Sequence, residues 1–300
     1  MKEWSVDLEG DIASNAIDRN TAFVHWKQWA ENMRANLPEI VKNGLDKTYP
    51  DNRTRSWGIC VTVGAGPSWR KVEKVAGRCP IVASDRTFPM LTEIGIEPDW
   101  VMSVDGSDIC KQFFDHPSVR RCKKTKVVFN VTSHPDTVKA WKGEKFFVVP
   151  MYDNPDLPRS LARFLYYMSE TMCLSTVSNV GGMLPVMAGY LGYRHIGMVG
   201  VDCCMPEGET DFKKLPHYEM LKNEEGDSKW GWVDTRKGKR LTDRVMLAWA
   251  RSNSTLLPYL MGLMDAHLYN LSDESAITKL RYCDPEKFCE TSHPSMSIAA

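Results

Sequence analysis

Short β-rich runs that end in glycine or in a polar residue constrain the fold of this chain more than any other feature. The first run, 58–63, is followed directly by the glycine-rich segment 64–68 and then by a helical pattern over 69–76. Uninterrupted apolar runs of this length are typical of strands that are buried on both faces of a parallel sheet. Comparable runs recur at 81–84, 100–104, 126–130, 145–149, 195–201 and 267–271.

Helical patterns fall between and after these runs, at 88–94, 161–172, 181–191 and 241–264. Strands that alternate with helices indicate βαβ units, whose crossovers are almost always right-handed. The sequence therefore predicts an α/β fold with a Rossmann-like, doubly wound and mainly parallel sheet. An N-terminal helical arm would precede this sheet. A C-terminal extension, made of a hairpin at 229–233 and 240–242 and a long helix, would follow it.

The chain divides into three segments on this interpretation. Residues 1–52 form the helical arm, 53–205 form a nucleotide-binding core, and 206–300 form the hairpin, long helix and tail that complete the same domain. The turn-forming run 49–52 marks the first boundary. The tail from Cys283 onward shows little pattern, and we expect part of it to be disordered.

Charge, cysteine content and hydropathy narrow the class of protein. Lys plus Arg and Asp plus Glu number 38 each, so no net charge would attract nucleic acid or an anionic membrane. The nine cysteines form no C-x-x-C pair, which favours reduced thiols in a cytoplasmic protein. The longest apolar stretches fall short of the roughly 20 residues that a membrane span needs. The arm could pack on its own sheet or on a second subunit, so a homo-oligomer stays open.

The glycine segment is the first candidate site. Glycines let backbone N–H groups approach phosphate oxygens closely, and proline is tolerated at a helix start. A serine there can cap the helix or donate to a phosphate. The alternative is a tight strand-to-helix turn that holds no ligand. The predicted phosphate-binding residues are Gly64, Ala65, Gly66, Pro67 and Ser68.

Carboxylates end three of the predicted strands: Asp85, Asp105 and Asp202. Ligands of open parallel sheets bind beyond the carboxyl ends of the strands, so we expect these side chains at the floor of a site. Asp85 and Asp105 could orient hydroxyls or transfer a proton, and Asp105 with Asp108 could hold Mg²⁺. Helix or loop capping is the alternative for each of them.

Two further groups could carry chemistry. Ser178, Asn179, Gly181 and Gly182 open a helix and offer backbone N–H groups to an anion or a sugar, with ordinary capping as the alternative. His217 lies in a polar loop and is a candidate acid or base, with a plain surface histidine as the alternative.

Taken in order, these motifs resemble those of a known family. The strand-end segments 64–68, 84–87, 95–105, 189–196 and 199–202 resemble the 6-hydroxymethylpterin diphosphokinase MptE-like family. That family includes motility accessory factors, and its fold is similar to that of bacterial sialyltransferases that use CMP-sialic acid. The resemblance spans about 57–275. It implies a transferase that takes a small-molecule nucleotide or nucleotide sugar as donor.

Two branches of the family imply different site residues. The diphosphokinases move pyrophosphate from ATP to 6-hydroxymethyl-dihydropterin with Mg²⁺, and Ser103 stands here where their first carboxylate lies. The motility factors imply site roles for Thr242, Asp243, Asn270 and Ser272. The sialyltransferases carry asparagine at the position of Ala65.

The first hypothesis is the transfer of an acidic sugar from a CMP-type donor. The segment 64–68 would hold the donor phosphate, Asp85 and Asp105 would orient the donor or acceptor, and His217 would deprotonate the acceptor. The segment 178–182 would bind the sugar or base, and Asp202 would complete the nucleotide site. The alternatives are Mg²⁺-dependent pyrophosphoryl transfer to a pterin and a non-catalytic nucleotide-binding protein. The acceptor and the nucleobase stay open.

Overall fold

The computed structural model describes residues 2–4, 11–48, 58–154, 156, 158, 160–177, 179–224 and 229–290. The predicted boundary turn at 49–52, Ser178 and the last ten residues of the expected tail lie outside these ranges.

The described part of the chain contains twelve strands, ten α-helices and four 3-10 helices. The strands are β1 (Lys2–Trp4), β2 (Ile59–Val63), β3 (Ile81–Ser84), β4 (Trp100–Ser103), β5 (Lys126–Asn130), β6 (Lys145–Met151), β7 (Cys173–Ser175), β8 (His195–Val199), β9 (Trp230–Thr235), β10 (Gly238–Asp243), β11 (His267–Asn270) and β12 (Arg281–Tyr282). The helices are α1 (Asp11–Lys42), α2 (Leu45–Thr48), α3 (Thr87–Glu93), α4 (Lys111–Phe114), α5 (Pro135–Ala140), α6 (Leu161–Ser169), α7 (Val180–Tyr190), α8 (Tyr218–Leu221), α9 (Arg244–Leu263) and α10 (Pro285–Phe288).

Nine strands form one sheet in the order β12-β11-β8-β2-β3-β4-β5-β6-β7, and every neighbouring pair is parallel. The chain runs outward from β2 to β7 and then returns to β8 on the other side of β2. The direction of winding therefore reverses between β2 and β8, as in a doubly wound fold. The predicted Rossmann-like architecture is confirmed.

Strands β2 to β6 and β8 are buried on both faces of the nine-stranded sheet, because their side chains alternate between two apolar layers. In β2, Cys60 packs in the layer that contains α7 and α9, whereas Val61 and Val63 pack in the layer on the opposite face. The second layer includes Met33 and Ile40 of α1. The alternation explains why the strands read as continuous apolar runs in the sequence.

The C-terminal extension contains the predicted hairpin. Strands β9 and β10 pair antiparallel, and β1 adds to β9 as a parallel third strand. Asp243 ends β10 and caps α9 by accepting hydrogen bonds from the backbone N–H groups of Val245 and Met246.

Helix α1 is tied to the carboxyl ends of β4 and β5 by amide side chains spaced four residues apart. Asn32 Nδ2 donates to the carbonyl oxygens of Gly106 and Thr132, at 2.8 and 2.9 Å. Asn36 Nδ2 donates to the carbonyl oxygen of Ser133 at 2.8 Å, and Gln28 Nε2 reaches Gly106 at 3.4 Å. The arm therefore packs over the edge of its own sheet, where a ligand would bind.

Several local predictions differ from the structure. The segment after the glycines forms a 3-10 helix over Pro67–Lys74 instead of an α-helix. The short helix α10 lies in the segment predicted to be a patternless tail, where Pro285 provides a helix start and Asp284 provides its N-cap. None of the helices that the structure describes is long and apolar enough to cross a membrane.

Candidate functional site

A cavity of about 390 Å³ opens at the carboxyl edge of the sheet. Its floor comes from the segments that follow β4, β6 and β7, and its remaining walls come from three helices, α1, α7 and α9. The residues that line it are His25, Gln28, Trp29, Val104, Asp105, Gly106, Ser107, Pro150, Tyr152, Thr176, Asn179, Met183 and Trp249. The carboxyl edge is where ligands of such sheets bind, so this cavity is the candidate site.

Asp105 is the carboxylate that lines the cavity. Its side chain is exposed, and its Oδ1 accepts the backbone N–H of Ser107 at 2.8 Å. Asp108 is also exposed but begins a 3-10 helix outside the cavity wall. Among the residues that the structure describes, no three His, Cys, Asp or Glu side chains come together as a metal site. A Mg²⁺ ion at Asp105 would therefore depend on ligand oxygens for most of its coordination.

Asp85 is buried and does not line the cavity. Its carboxylate accepts hydrogen bonds from the Ser103 hydroxyl and the Arg86 backbone N–H, both at 2.7 Å. Burial raises the pKa of the Asp85 carboxyl above its ordinary value, and these hydrogen bonds oppose part of that rise. This carboxylate links the ends of β3 and β4 and does not cap α3, and its contact with a substrate stays a prediction.

The glycine segment, 64–68, is hydrogen-bonded through its backbone to the end of β8. The backbone N–H groups of Gly64 and Gly66 donate to the carbonyl oxygens of Val199 and Gly200, at 2.9 and 2.7 Å. A Cβ atom at Gly64 would collide with the Gly200 carbonyl. The glycines are thus required for the close approach of two backbone turns.

The buried carboxylate of Asp202 takes the donors that were predicted for phosphate. Ser68 donates its backbone N–H at 2.8 Å and its hydroxyl at 2.7 Å to this carboxylate, and the Ser272 hydroxyl donates at 2.9 Å. Burial raises the pKa of the Asp202 carboxyl above its ordinary value, and the hydrogen bonds from both serines lower it. The donors of Ser68 are therefore engaged by Asp202, and the role of both residues in binding phosphate stays a prediction. Asn270 supports the turn, since its Oδ1 accepts the Ser272 backbone N–H.

The segment before α7 contributes one wall of the cavity. Asn179 caps α7 by accepting the Gly182 backbone N–H at 2.9 Å, and it also lines the cavity. A Cβ atom at Gly182 would collide with the Asn253 side chain, and one at Gly181 would lie 3.0 Å from Val201. The absence of side chains at these two glycines lets Asn253 and Val201 pack against α7. The first turn of the helix reaches the cavity through Asn179 and Met183.

His217 lies beside the cavity wall, not in the cavity lining. Its Nδ1 lies 2.9 Å from the fully buried carboxylate of Asp243, which can only accept, so the Nδ1–H tautomer donates there and has Nε2 as its acceptor nitrogen. Its ring meets the ring of Trp249 edge to face, with centroids 4.9 Å apart, and Trp249 lines the cavity. The neighbouring Thr242 hydroxyl donates to the carbonyl of Cys203, so it joins the hairpin to the end of β8. The arrangement is a histidine held by a buried carboxylate, next to the candidate site.

The sequence interpretation missed the aromatic residues of the cavity. Trp29 and Tyr152 stack with ring centroids 4.5 Å apart, although they lie far apart in the chain. The spacing of Gln28, Asn32 and Asn36 was the available signal, because three amides at helical intervals mark a polar stripe on α1. Nothing in the sequence pairs Tyr152 with that helix.

Comparisons with known proteins agree with this architecture. A protein-family model described as 6-hydroxymethylpterin diphosphokinase MptE-like matches residues 31–208, more than half of the chain. A solved structure described as MAf glycosyltransferase from Magnetospirillum magneticum AMB-1 is similar, at 17% identity and a TM-score of 0.56. The match covers 78% of this chain but only 34% of that one, and at this identity it shows the fold alone. No curated protein matches the chain.

Proposed function

This chain belongs to the 6-hydroxymethylpterin diphosphokinase MptE-like family, and on that premise we propose that it is a nucleotide-dependent transferase. The observation that carries the proposal is the cavity at the carboxyl edge of the sheet, with Asp105 inside it and the His217–Asp243 pair beside it. A group that positions the substrate and a group that accepts the hydroxyl proton both accelerate a transfer to a hydroxyl.

The proposed chemistry is the transfer of an acidic sugar from a CMP-type donor. The acceptor hydroxyl attacks the anomeric carbon, the bond from that carbon to the phosphate oxygen breaks, and CMP leaves. The hydroxyl proton passes to Nε2 of His217, and the charge that develops on the imidazole is stabilised by Asp243. Asp105 orients hydroxyl groups of the bound substrate.

The donor phosphate is proposed to lie at the first turn of α7, not on the glycine segment. Asn179 and Met183 bring that turn to the cavity, and helix N-termini attract anions. The donors of Ser68 are already used by Asp202. This proposal moves the phosphate from segment 64–68, where the sequence predicts it, and keeps a CMP-type donor.

A second candidate is Mg²⁺-dependent pyrophosphoryl transfer from ATP to 6-hydroxymethyl-dihydropterin. The aromatic rings of Trp29 and Tyr152 favour it, because a pterin has a flat face that can stack on aromatic rings. A pterin also has N–H groups that can donate hydrogen bonds to the carboxylate of Asp105. Asp105 would be the protein ligand of the metal, with phosphate oxygens completing its coordination.

One assay distinguishes these candidates. The full chain is incubated with CMP-sialic acid, or with ATP, Mg²⁺ and the pterin, and the products are separated by chromatography. Release of CMP supports sugar transfer, and release of AMP supports pyrophosphoryl transfer. Tight binding of either nucleotide with no product identifies a non-catalytic binding protein and rejects the proposal.

Asp105→Asn and Asp108→Asn form a matched pair for the same assay. Both carboxylates are exposed, but only Asp105 lines the cavity. Asp105→Asn should lower the rate at least tenfold, while Asp108→Asn should retain the wild-type rate. Equal rates for the two variants would reject the role of Asp105.

A further inference from the structure

Three aromatic side chains, His25, Trp29 and Tyr152, form one side of the cavity and are called here the aromatic wall. The rings of Trp29 and Tyr152 are stacked with centroids 4.5 Å apart and planes inclined by 19°. The ring of His25 is inclined by 23° to that of Trp29 at a wider separation of 6.1 Å. His25 is exposed, whereas Trp29 is only 6% exposed. The wall therefore has a closely stacked pair of rings and an exposed third ring beside it.

The stacked pair is held from both ends. The Tyr152 hydroxyl receives a hydrogen bond of 2.6 Å from Asn130 Nδ2, at the carboxyl end of β5. The Trp29 indole lies against Gly106, where a Cβ atom would be only 2.6 Å from its Nε1. Asn32, about one helical turn after Trp29, fastens α1 to the Gly106 carbonyl. Rings that are immobilised in this way lose little conformational entropy when a ligand packs on them.

Polar groups lie around the aromatic wall within the same cavity. Asp105 and Ser107 follow β4, and Thr176 and Asn179 lie beyond β7. A flat heterocycle needs both features, because its face stacks on aromatic rings while its edge carries ring nitrogens and amino or carbonyl groups that form hydrogen bonds. A simple apolar ligand would leave those polar groups unused.

We propose that the aromatic wall is a subsite for a flat, hydrogen-bonding heterocycle, such as the base of a nucleotide or a pterin. Helix α1 then supplies part of the ligand site as well as packing on the sheet. His25 and Trp29 precede residue 31, where the family match begins, so this subsite depends on a part of the chain outside that match. The choice of nucleobases and pterins as ligands rests on the proposed function.

The test uses three probes that contain the heterocycle but no phosphate: cytidine, adenosine and 6-hydroxymethylpterin. Binding to the full chain is measured by titration and by saturation-transfer NMR. At least one probe should bind, with its strongest saturation on the protons of the heterocycle. Trp29→Leu should weaken that binding about tenfold, and Trp29→Phe should retain most of it.

Trp26→Leu is the matched control. Trp26 lies on the same helix, is 56% exposed, and does not line the cavity. This variant should bind the probes with the wild-type Kd. Circular dichroism and thermal unfolding establish that each variant is folded.

A readout on the wild-type chain keeps the inference testable if Trp29→Leu does not fold. Nuclear Overhauser effects should connect protons of the heterocycle with the indole of Trp29. Their absence from a bound probe would overturn the inference, as would failure of all three probes to bind, or an unchanged Kd in folded Trp29→Leu.

Failure of the subsite and failure of the proposed transferase give different results. Binding through Trp29 with no transfer in the chromatographic assay leaves the subsite intact and rejects the transferase. Transfer at the wild-type rate in Trp29→Leu supports the transferase and rejects the subsite.

Discussion

The carboxylate of Asp202 receives hydrogen bonds from the Ser68 backbone N–H and from the hydroxyls of Ser68 and Ser272. All of these groups are buried, so removal of the carboxylate leaves several donors without a partner. We expect Asp202→Ala to lower the free energy of unfolding by about 2–4 kcal/mol. Urea denaturation would measure the change, and a loss below about 0.5 kcal/mol would contradict it.

The same carboxyl gives the stability a pH dependence of definite sign. Burial is the largest cause of the raised pKa of Asp202, whose ordinary value is 3.8. The folded chain therefore binds this proton more tightly than the unfolded chain does. The contribution of the carboxyl to stability is complete below the ordinary pKa and is lost as pH rises through the raised pKa. Relative to wild type, Asp202→Asn should thus gain stability between about pH 4 and about pH 7. Urea denaturation at both pH values tests the sign, and a relative loss would show that the pKa is not raised.

Asp243 has two roles that one substitution can separate. It caps α9, and it holds Nδ1–H of His217. Asparagine is as good an N-cap as aspartate, so Asp243→Asn should change the free energy of unfolding by less than about 1 kcal/mol. On the proposed function its rate of transfer should fall about 100-fold, because the imidazolium loses its charged partner. Unfolding and rate measurements on one preparation test both expectations, and a wild-type rate would remove His217 from the proposed mechanism.

Among the elements, α7 and α9 approach each other at Gly182. A side chain there would meet Asn253 of α9 and would lie 2.7 Å from the Val177 carbonyl oxygen. Gly182→Ala should therefore destabilise the chain by about 1–3 kcal/mol, as overpacking does. Gly262 is the control, because it lies in α9 with open space around its Cα, and Gly262→Ala should stabilise by up to about 1 kcal/mol. Thermal unfolding of both variants gives the comparison, and shifts of the same sign would contradict it.

The amide side chains of Gln28, Asn32 and Asn36, called here the stripe, hold helix α1 on the sheet. Asn32→Ala removes the two hydrogen bonds that Nδ2 donates to carbonyl oxygens and should cost about 1–3 kcal/mol. Glu31→Ala alters the exposed neighbouring position and should cost less than about 0.5 kcal/mol. Hydrogen exchange localises the effect, since protection of α1 should fall only in Asn32→Ala. Equal protection in the two variants would show that the stripe does not hold the helix.

Helices and strands could be predicted from the sequence where their own residues form a pattern long enough to recognise. Strands β2 to β6, β8 and β11 are long enough, and apolar enough, to be recognised one at a time. Strands β7 and β12 have three and two residues, too few for any period to be seen. The 3-10 form of Pro67–Lys74 was also missed, because a helical pattern does not specify the hydrogen-bonding register.

The site was less predictable than the fold because its contacts join distant segments. Asp105 was identified from its position at a strand end, and the structure brings it to the cavity. The carboxylate that closes the glycine turn comes from Asp202, after the end of β8, and no local pattern indicates that it bonds to Ser68. His217 was singled out, but its pairing with Asp243 depends on how the hairpin returns to the sheet.

At the scale of the whole molecule, ligand binding should appear as added thermal stability. A nucleotide at about 100 times its Kd adds about 2.7 kcal/mol, which is about 4 °C in unfolding temperature for 300 residues. We expect CMP to give this shift, and a screen of CMP, CTP, ATP and UDP with and without Mg²⁺ measures it. A shift with ATP and Mg²⁺ alone would favour the pterin reaction, and no shift with any nucleotide would contradict the proposed donor class.

The long reach of α1 also has a consequence during synthesis. Asn32 bonds to carbonyl groups that lie 74 and 100 residues later in the chain, and β1 pairs with β9 near residue 231. At a ribosome's pace of about 5–20 residues per second, the helix waits roughly 5–20 seconds for its partners to emerge. Helix α1 is thus translated well before the segments that it packs against, and its apolar face lacks those partners until they emerge.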